Sequence, residues 1–352
     1  MTRLVAGLLA VFAWALAPLA TAQPAPPPGD PMTVQAGSHQ LHARLHAPPG
    51  LERYPIVVMV YGAGIESELG GAYTQILARA FGERGIGVLA YDKRGVGGST
   101  GAYTGADFEG LGADAAAVMR HAQALPQATH VGFWGISQAG WIIPYALRDT
   151  RDVAFAIIVS PPGVNPHEQV AYFLRRQTLS WGLSPEEADA AEAMHRAVAL
   201  YYSGRASYES AQAEVDRHRG ARWFNGVVTH QYWDEMTPEG RILTPGALAQ
   251  AQRERPNAFE IYMARSSFVD YAPVYRILRR LPTLIIHGAE DTLLSPQAGR
   301  AVLEQALRGE RRYSHEFRVY ENAGHDITTP EGRVVREYLD TMADWAAARF
   351  AE

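Results

Sequence analysis

H-V-G-F-W-G-I-S-Q-A-G-W, residues His130 to Trp141, reads as a strand that turns sharply into a helix with Ser137 at the apex. Val131 to Trp134 is a short, mostly apolar run that fits a buried strand. Gly135 and Gly140 flank the turn, and Trp141 to Leu147 resumes an apolar, helix-like pattern. This is the layout of a nucleophile elbow, in which small flanking residues let the backbone bend tightly enough to push a serine hydroxyl into a cleft. The usual pattern is G-x-S-x-G. Here Ala139 holds the last position and the glycine comes one step later. A glycine-serine turn between any strand and helix looks much the same, so the other strand ends must decide what Ser137 does.

Working outward, Pro55 to Val60, Ile86 to Tyr91, Ala154 to Ser160, Thr283 to His287 and His315 to Tyr320 are further strand candidates, most of them continuous apolar runs. Helical patterns at Ala72 to Arg84, Phe108 to Leu125 and Pro330 to Phe350 separate or follow them. Strands that are apolar on both sides and alternate with helices call for a mainly parallel sheet covered on both faces, an α/β fold. Catalytic groups in such sheets sit at the carboxyl ends of the strands. Ahead of these, Met32 to Ala36 and Gln40 to Ala47, split by Gly37-Ser38, predict an antiparallel hairpin.

The alternation breaks between Gly163 and about Arg280. No strand of comparable quality occurs there, Ser184-Pro185-Glu186-Glu187 is a capping box, and charged residues interleave with Trp181, Tyr201, Trp223, Phe224, Tyr232 and Trp233. The stretch reads as a helical cap inserted into the sheet domain. The expected organisation is a core over 32–162 and 270–352 with the cap over 163–269.

Arg3, the apolar Leu4 to Leu19 and the A-x-A site Ala20-Thr21-Ala22 read as a signal peptide over residues 1–22, followed by a proline-rich linker over 23–31. Pro18 interrupts the apolar run and no polybasic stop follows, so no stable membrane insertion is expected after cleavage. The address is then secreted or periplasmic. With no cysteine there is neither a lipid-attachment site nor a disulfide framework, and 352 residues can bury a core large enough without one. An apolar fraction of 47% and a net charge of −5 fit a globular protein with no basic face for nucleic acid. His39, His42 and His46 lack a carboxylate neighbour and are not expected to bind metal. Asp92 to Ser99 is glycine-rich but lacks the spacing of a phosphate-binding loop.

A serine hydroxyl needs a base to take its proton and a third group to hold that base. After Ser137 the chain offers Asp291, in the loop following Thr283 to His287, and His325, in the loop following His315 to Tyr320. Both occupy strand-end loops, in the order nucleophile, acid, base. His287 lies inside a strand and reads as a packed core histidine. Glu290 is a weaker acid candidate than Asp291, and Asp326 reads as a solvent or loop-capping residue. The negative oxygen of a tetrahedral intermediate needs backbone N–H donors, for which Gln138, after the nucleophile, and Ala63, in the loop Tyr61 to Gly64, are the candidates.

The set Y-D-K-R-G-V-G-G-S (Tyr91 to Ser99), G-I-S-Q-A-G (Gly135 to Gly140), G-A-E-D (Gly288 to Asp291) and A-G-H (Ala323 to His325) resembles the α/β-hydrolase superfamily. It is most similar to the branch of bacterial esterases and serine-aminopeptidase-like hydrolases. The resemblance implies an α/β-hydrolase fold, Ser137, Asp291 and His325 as nucleophile, acid and base, no cofactor, and a bracing role for Asp92 and Arg94. Tyr61 stands where the family commonly has histidine before the oxyanion-hole glycine. The leading expectation is a secreted carboxylesterase taking a small ester or acyl substrate. A second reading is an aminopeptidase-type serine peptidase, which needs a carboxylate near the cleft; Glu186, Glu187, Asp189 and Glu192 instead read as a solvated helix face. A third is a non-catalytic ligand-binding protein on the same sheet. Substrate identity and oligomeric state are not written in these motifs.

Overall fold

Tyr54–Val60 divides its side chains by period two, as a strand must, yet both sets are apolar: Ile56, Val58 and Val60 enter one buried layer, Val57 and Met59 the other. A strand of this kind is stable only between two covering layers, and the molecule is built that way. The computed structural model describes residues 29–350 except 65, 104–106, 232–235, 238, 255–267 and 310–312. The expected signal peptide, residues 23–28 of the expected linker, and the cap aromatics Tyr232 and Trp233 lie outside the described residues.

Eight strands form one sheet: β1 (Asp30–Ala36), β2 (His39–His46), β3 (Tyr54–Val60), β4 (Gly87–Tyr91), β5 (Ala128–Ile136), β6 (Val153–Val159), β7 (Thr283–Gly288) and β8 (His315–Tyr320). Their order is β1-β2-β4-β3-β5-β6-β7-β8. The pairs β1·β2 and β2·β4 are antiparallel and all the others parallel, so the mainly parallel sheet and the leading hairpin are as the sequence implies. The helices among the described residues are α1 (Ala72–Gly82), α2 (Phe108–Ala124), α3 (Ala139–Ala146), α4 (Pro166–Ser180), α5 (Pro185–Tyr202), α6 (Tyr208–Arg217), α7 (Phe224–Gln231), α8 (Pro245–Glu254), α9 (Ala272–Tyr275), α10 (Pro296–Ala306) and α11 (Arg336–Phe350).

Helices α2, α3 and α10 cover one face of the sheet through residues such as Phe108, Trp141 and Leu303, while α1 and α11 cover the other through Phe81, Tyr338 and Met342. Phe133 and Trp134, adjacent on β5, are fully buried on opposite faces. Each such side chain contributes roughly 2–3 kcal/mol of burial, so β5 is among the most firmly held strands. Helices α4 to α7 build a third apolar cluster around Leu174, Met194, Val198, Trp223 and Val227. The capping box forms as the sequence implies: Ser184 Oγ accepts from Glu187 N at 3.3 Å and Glu187 Oε2 accepts from Ser184 N at 2.9 Å.

Two boundaries differ from expectation. Asp30 and Pro31, assigned to the linker, are the first residues of β1 and pair with Leu45 and Arg44. The closing helix begins at Arg336 rather than Pro330. In between, Thr329 O accepts from Gly332 N at 2.8 Å and Val335 N donates to Ile327 O at 2.9 Å, so groups that a helix from Pro330 would pair within itself are spent on a tight turn and the bridge of Thr328 to Val334.

Candidate active site

Between residues 131 and 144 every residue is buried except Ser137. Its φ is +58°, the left-handed region that a non-glycine residue enters at a cost of roughly 1–2 kcal/mol. The strain is held in place by the Ser137 N–H, which donates to Val159 O on the neighbouring β6 at 2.8 Å. The departure at Ala139 also has its explanation here. A side chain on Gly140 would start 2.7 Å from Pro161 Cβ and 3.0 Å from its Cα, so the close passage of α3 over the chain falls at Gly140. The Ala139 methyl instead fills the space over Gly135, whose own added Cβ would meet it at 2.6 Å.

Parallel pairing puts the ends of β5, β6, β7 and β8 side by side, and the catalytic candidates follow those ends. The β7 and β8 loops are stitched to each other by Ala289 N to Tyr320 O at 3.0 Å and Glu290 N to Ala323 O at 2.9 Å. This brings His325 Nδ1 to 2.7 Å from Asp291 Oδ2. The other oxygen, Asp291 Oδ1, accepts from Leu293 N at 2.8 Å and Leu294 N at 2.9 Å, so the carboxylate is fixed from both sides. Glu290, the weaker candidate, is exposed and contributes only its backbone. Ser160, the residue after β6, is at φ +43° and donates from Oγ to His325 O at 2.7 Å. Val159, the last residue of β6, and Ser160, the next, therefore tether the Ser137 loop and the His325 loop.

Burial pushes the His325 pKa down, but the hydrogen bond and charge of Asp291, with the charge of Asp326, outweigh it and leave the imidazole above its usual 6.5. Asp326, expected in solvent or capping the loop, is half-buried, and desolvation raises its own carboxyl. His287 is the core histidine the sequence implied, 1% exposed and lowered by burial to about 4.

On the other side of Ser137, β3 neighbours β5, and a side chain on Gly62 would begin 3.2 Å from Ser137 Cβ. Ala63, next in that loop, is exposed, and Gln138 precedes the first turn of α3. Tyr61 is tied through its hydroxyl to Thr74 Oγ1 on α1, so it anchors the loop from behind. Arg94 grips Asp114 of α2 in a bidentate pair at 2.6 and 2.7 Å, in keeping with a bracing role. Asp92 Oδ2 accepts from Ser67 Oγ at 2.9 Å.

Three residues with a part in this architecture escaped the sequence reading. Lys93, 6% exposed, donates from Nζ to Gly62 O and, at 3.2 Å, to Gln138 Oε1. Tyr172 of α4 donates to Asp291 O at 3.0 Å, and Ser160 holds the His325 backbone. Tyr172 also lines a cavity of about 370 Å³ with His167, Glu168, Arg175, Glu192, Arg196 and Phe268 among its walls. Neither Ser137 nor His325 lines that cavity. Among the described residues there is no group of three metal-ligating side chains and no helix long and apolar enough to cross a membrane.

If His325 is the general base, kcat/KM for any hydrolysed substrate should rise with pH through a pKa above 6.5, because only the neutral imidazole can accept the serine proton. A pH series of initial rates checks this; an acid limb centred below 6.5 would contradict the Asp291–His325 coupling.

Comparison with known proteins divides the chain in two. The family described as serine aminopeptidase, S33, matches residues 53–226, which include Ser137. The prolyl oligopeptidase family matches residues 216–352, which include Asp291 and His325. No curated protein matches the chain in sequence. Among solved structures, the α/β hydrolase GrgF from Penicillium sp. sh18 superposes with a TM-score of 0.57 at 18% identity, covering 92% of this chain and 98% of that one. The proline iminopeptidase of Mycobacterium smegmatis gives 0.55 at 16% identity, over 91% and 99%. A thermophilic esterase from Thermogutta terrifontis gives 0.50 at 16% identity, over 91% and 100%. With this sheet as its frame and solved structures superposing over nine-tenths of its length, the protein has the α/β-hydrolase fold, and its two parts are similar to the two families named.

Proposed function

We propose that the protein is a serine hydrolase that cleaves carboxylic esters through an acyl-enzyme. The observation that carries this reading is the 2.7 Å pair of His325 and Asp291, set on loops bound through β6 to the strained Ser137. Ser137 Oγ attacks the acyl carbon and its proton passes to Nε2 of His325, while Asp291 holds the Nδ1–H and so fixes the tautomer. The carbonyl oxygen takes the electron pair and is received by the N–H groups of Ala63 and Gln138. The alcohol leaves with the proton from His325. Water, activated by the same imidazole, then releases the acid and restores the serine.

A peptidase reading has its own support: both family matches carry peptidase names, and Glu168 and Glu192 line the cavity beside Tyr172. Glu192 thus departs from the solvated-face expectation, being half-buried. Arg196 lines the same cavity, however, and neither Ser137 nor His325 does, so these acids are not set beside the proposed nucleophile. Of the other cap acids, Glu187 is paired with Arg222 and Asp189 with Arg175. The reading as an ester hydrolase therefore ranks first. Export to the periplasm or medium is part of the proposal and rests on the A-x-A leader alone.

A panel of p-nitrophenyl esters of increasing acyl length, set against aminoacyl arylamides, tests it. Esters are expected to be cleaved with kcat/KM at least about tenfold above any arylamide, a difference of about 1.4 kcal/mol. Preference for the arylamides would reverse the ranking, and failure of a fluorophosphonate probe to label Ser137 would end the serine mechanism.

A further inference from the structure

The buried ammonium group of the oxyanion region touches one residue expected to donate to the intermediate, Gln138, and the residue before the other, Gly62. Lys93 Nζ bonds the carbonyl of Gly62 and, at 3.2 Å, the side-chain oxygen of Gln138. A trans peptide is planar, with its C=O and N–H pointing in opposite directions. Pinning the Gly62 oxygen toward Lys93 therefore fixes the direction of the N–H in the same peptide unit, which belongs to Ala63. On the other side, the Gln138 side chain is held by Lys93 and by the Tyr103 hydroxyl at 3.0 Å, which steadies the residue whose backbone N–H opens α3. We propose, resting on the serine-hydrolase reading, that Lys93 is a positioning residue that sets both arms of the oxyanion hole and places a positive charge behind it.

The surroundings suit a charge that works at short range. Lys93 is buried, with its Nζ 5.1 Å from the centre of the Tyr103 ring. The acid nearest in charge is Glu68, in the segment between β3 and α1. Asp92 precedes Lys93 in the chain, but its Oδ2 is engaged by Ser67. Burial lowers the Lys93 pKa to about 7, with Glu68 opposing. The ammonium form is thus present below about 7 and lost above it. Deprotonation removes the charge and leaves N–H donors, so it weakens the hole without dismantling it.

Lys93→Met removes both donors and the charge at similar volume. It should lower kcat on p-nitrophenyl acetate about 100-fold, the scale of losing one oxyanion donor, with KM within about threefold. Affinity for a trifluoromethyl ketone, which needs the hole to hold its tetrahedral adduct, should fall in parallel. Lys93→Gln keeps a neutral donor and should lose about tenfold. In the parent enzyme kcat/KM should fall to a lower plateau on the alkaline side, and both variants should lack that limb while keeping the acid limb of His325. The parent profile and Lys93→Gln carry the test if the methionine variant does not fold. Values of kcat and ketone affinity within about threefold of the parent overturn the assignment, as does a loss of kcat without loss of ketone affinity. The Ser137→Ala control separates the two levels. Hydrolysis that survives it sinks the serine mechanism itself, whereas dependence on Ser137 with an insensitive Lys93→Met removes Lys93 alone.

Discussion

Ser137→Ala should lower kcat for short p-nitrophenyl esters by roughly 10⁵- to 10⁶-fold. The reason is that the variant keeps the oxyanion donors and the imidazole but has no atom to form the acyl-enzyme. A second substitution at the same position separates chemistry from architecture. Ser137 sits at φ +58°, where leaving a side chain in place costs roughly 1–2 kcal/mol and glycine costs nothing in sterics. Glycine in turn loses roughly 0.5–1 kcal/mol of chain entropy on folding. The two terms leave Ser137→Gly with a net gain of roughly 0.5 kcal/mol, so it should be as inactive as the alanine variant while its Tm is unchanged or slightly higher. Thermal unfolding alongside esterase rates reads both. A Ser137→Gly protein with a clearly lower Tm would show that the serine conformation is not strained, and activity in either variant would remove Ser137 from the chemistry.

The elements around that strain were legible because apolar runs fix strands and strand ends fix loops. Ser137, Asp291 and His325 each follow a run that has no stable place outside a covered sheet, so their loops fall on one edge of it. Of the two acids in the β7 loop, Asp291 is enclosed and Glu290 faces solvent. What escaped were contacts that carry no local signature. Lys93 stands between Asp92 and Arg94 in a run whose charges look like an exposed loop. Its burial depends on Gly62 and Gln138, 31 and 45 residues away along the chain. Ser160 reaches a backbone oxygen 165 residues distant. Hydrophobic periodicity reports which face of an element is covered and says nothing of which polar group meets which across the sheet edge. The displaced elbow glycine is a similar case, since the pattern shows Gly140 while its reason, the passage of α3 over Pro161, is purely tertiary.

Asp291→Asn should lower kcat by about 10⁴-fold and also move the acid limb of the pH profile, and the second effect discriminates more sharply than the first. The carboxylate now accepts two backbone N–H groups on Oδ1 and the imidazole Nδ1–H on Oδ2. Asparagine can keep its oxygen on Leu293 N and Leu294 N, which leaves its amide N–H facing Nδ1. The imidazole must then carry its proton on Nε2, where it donates toward the serine instead of accepting from it, and general-base catalysis stops. With the Asp291 charge gone, the largest remaining influence on His325 is burial, which lowers its pKa, opposed only by Asp326. The residual activity should therefore show its acid limb below 6.5, where the parent has it above. Because both backbone amides stay bonded, the Tm should hold. Asp291→Ala, which strands them in a buried site, should cost about 1–3 kcal/mol for each. Glu290→Gln should change neither rate nor profile, since its side chain is exposed. A limb that stays above 6.5 in Asp291→Asn would mean that Asp326 orients the imidazole, and the acid of the site would have to be reassigned one residue beyond the base.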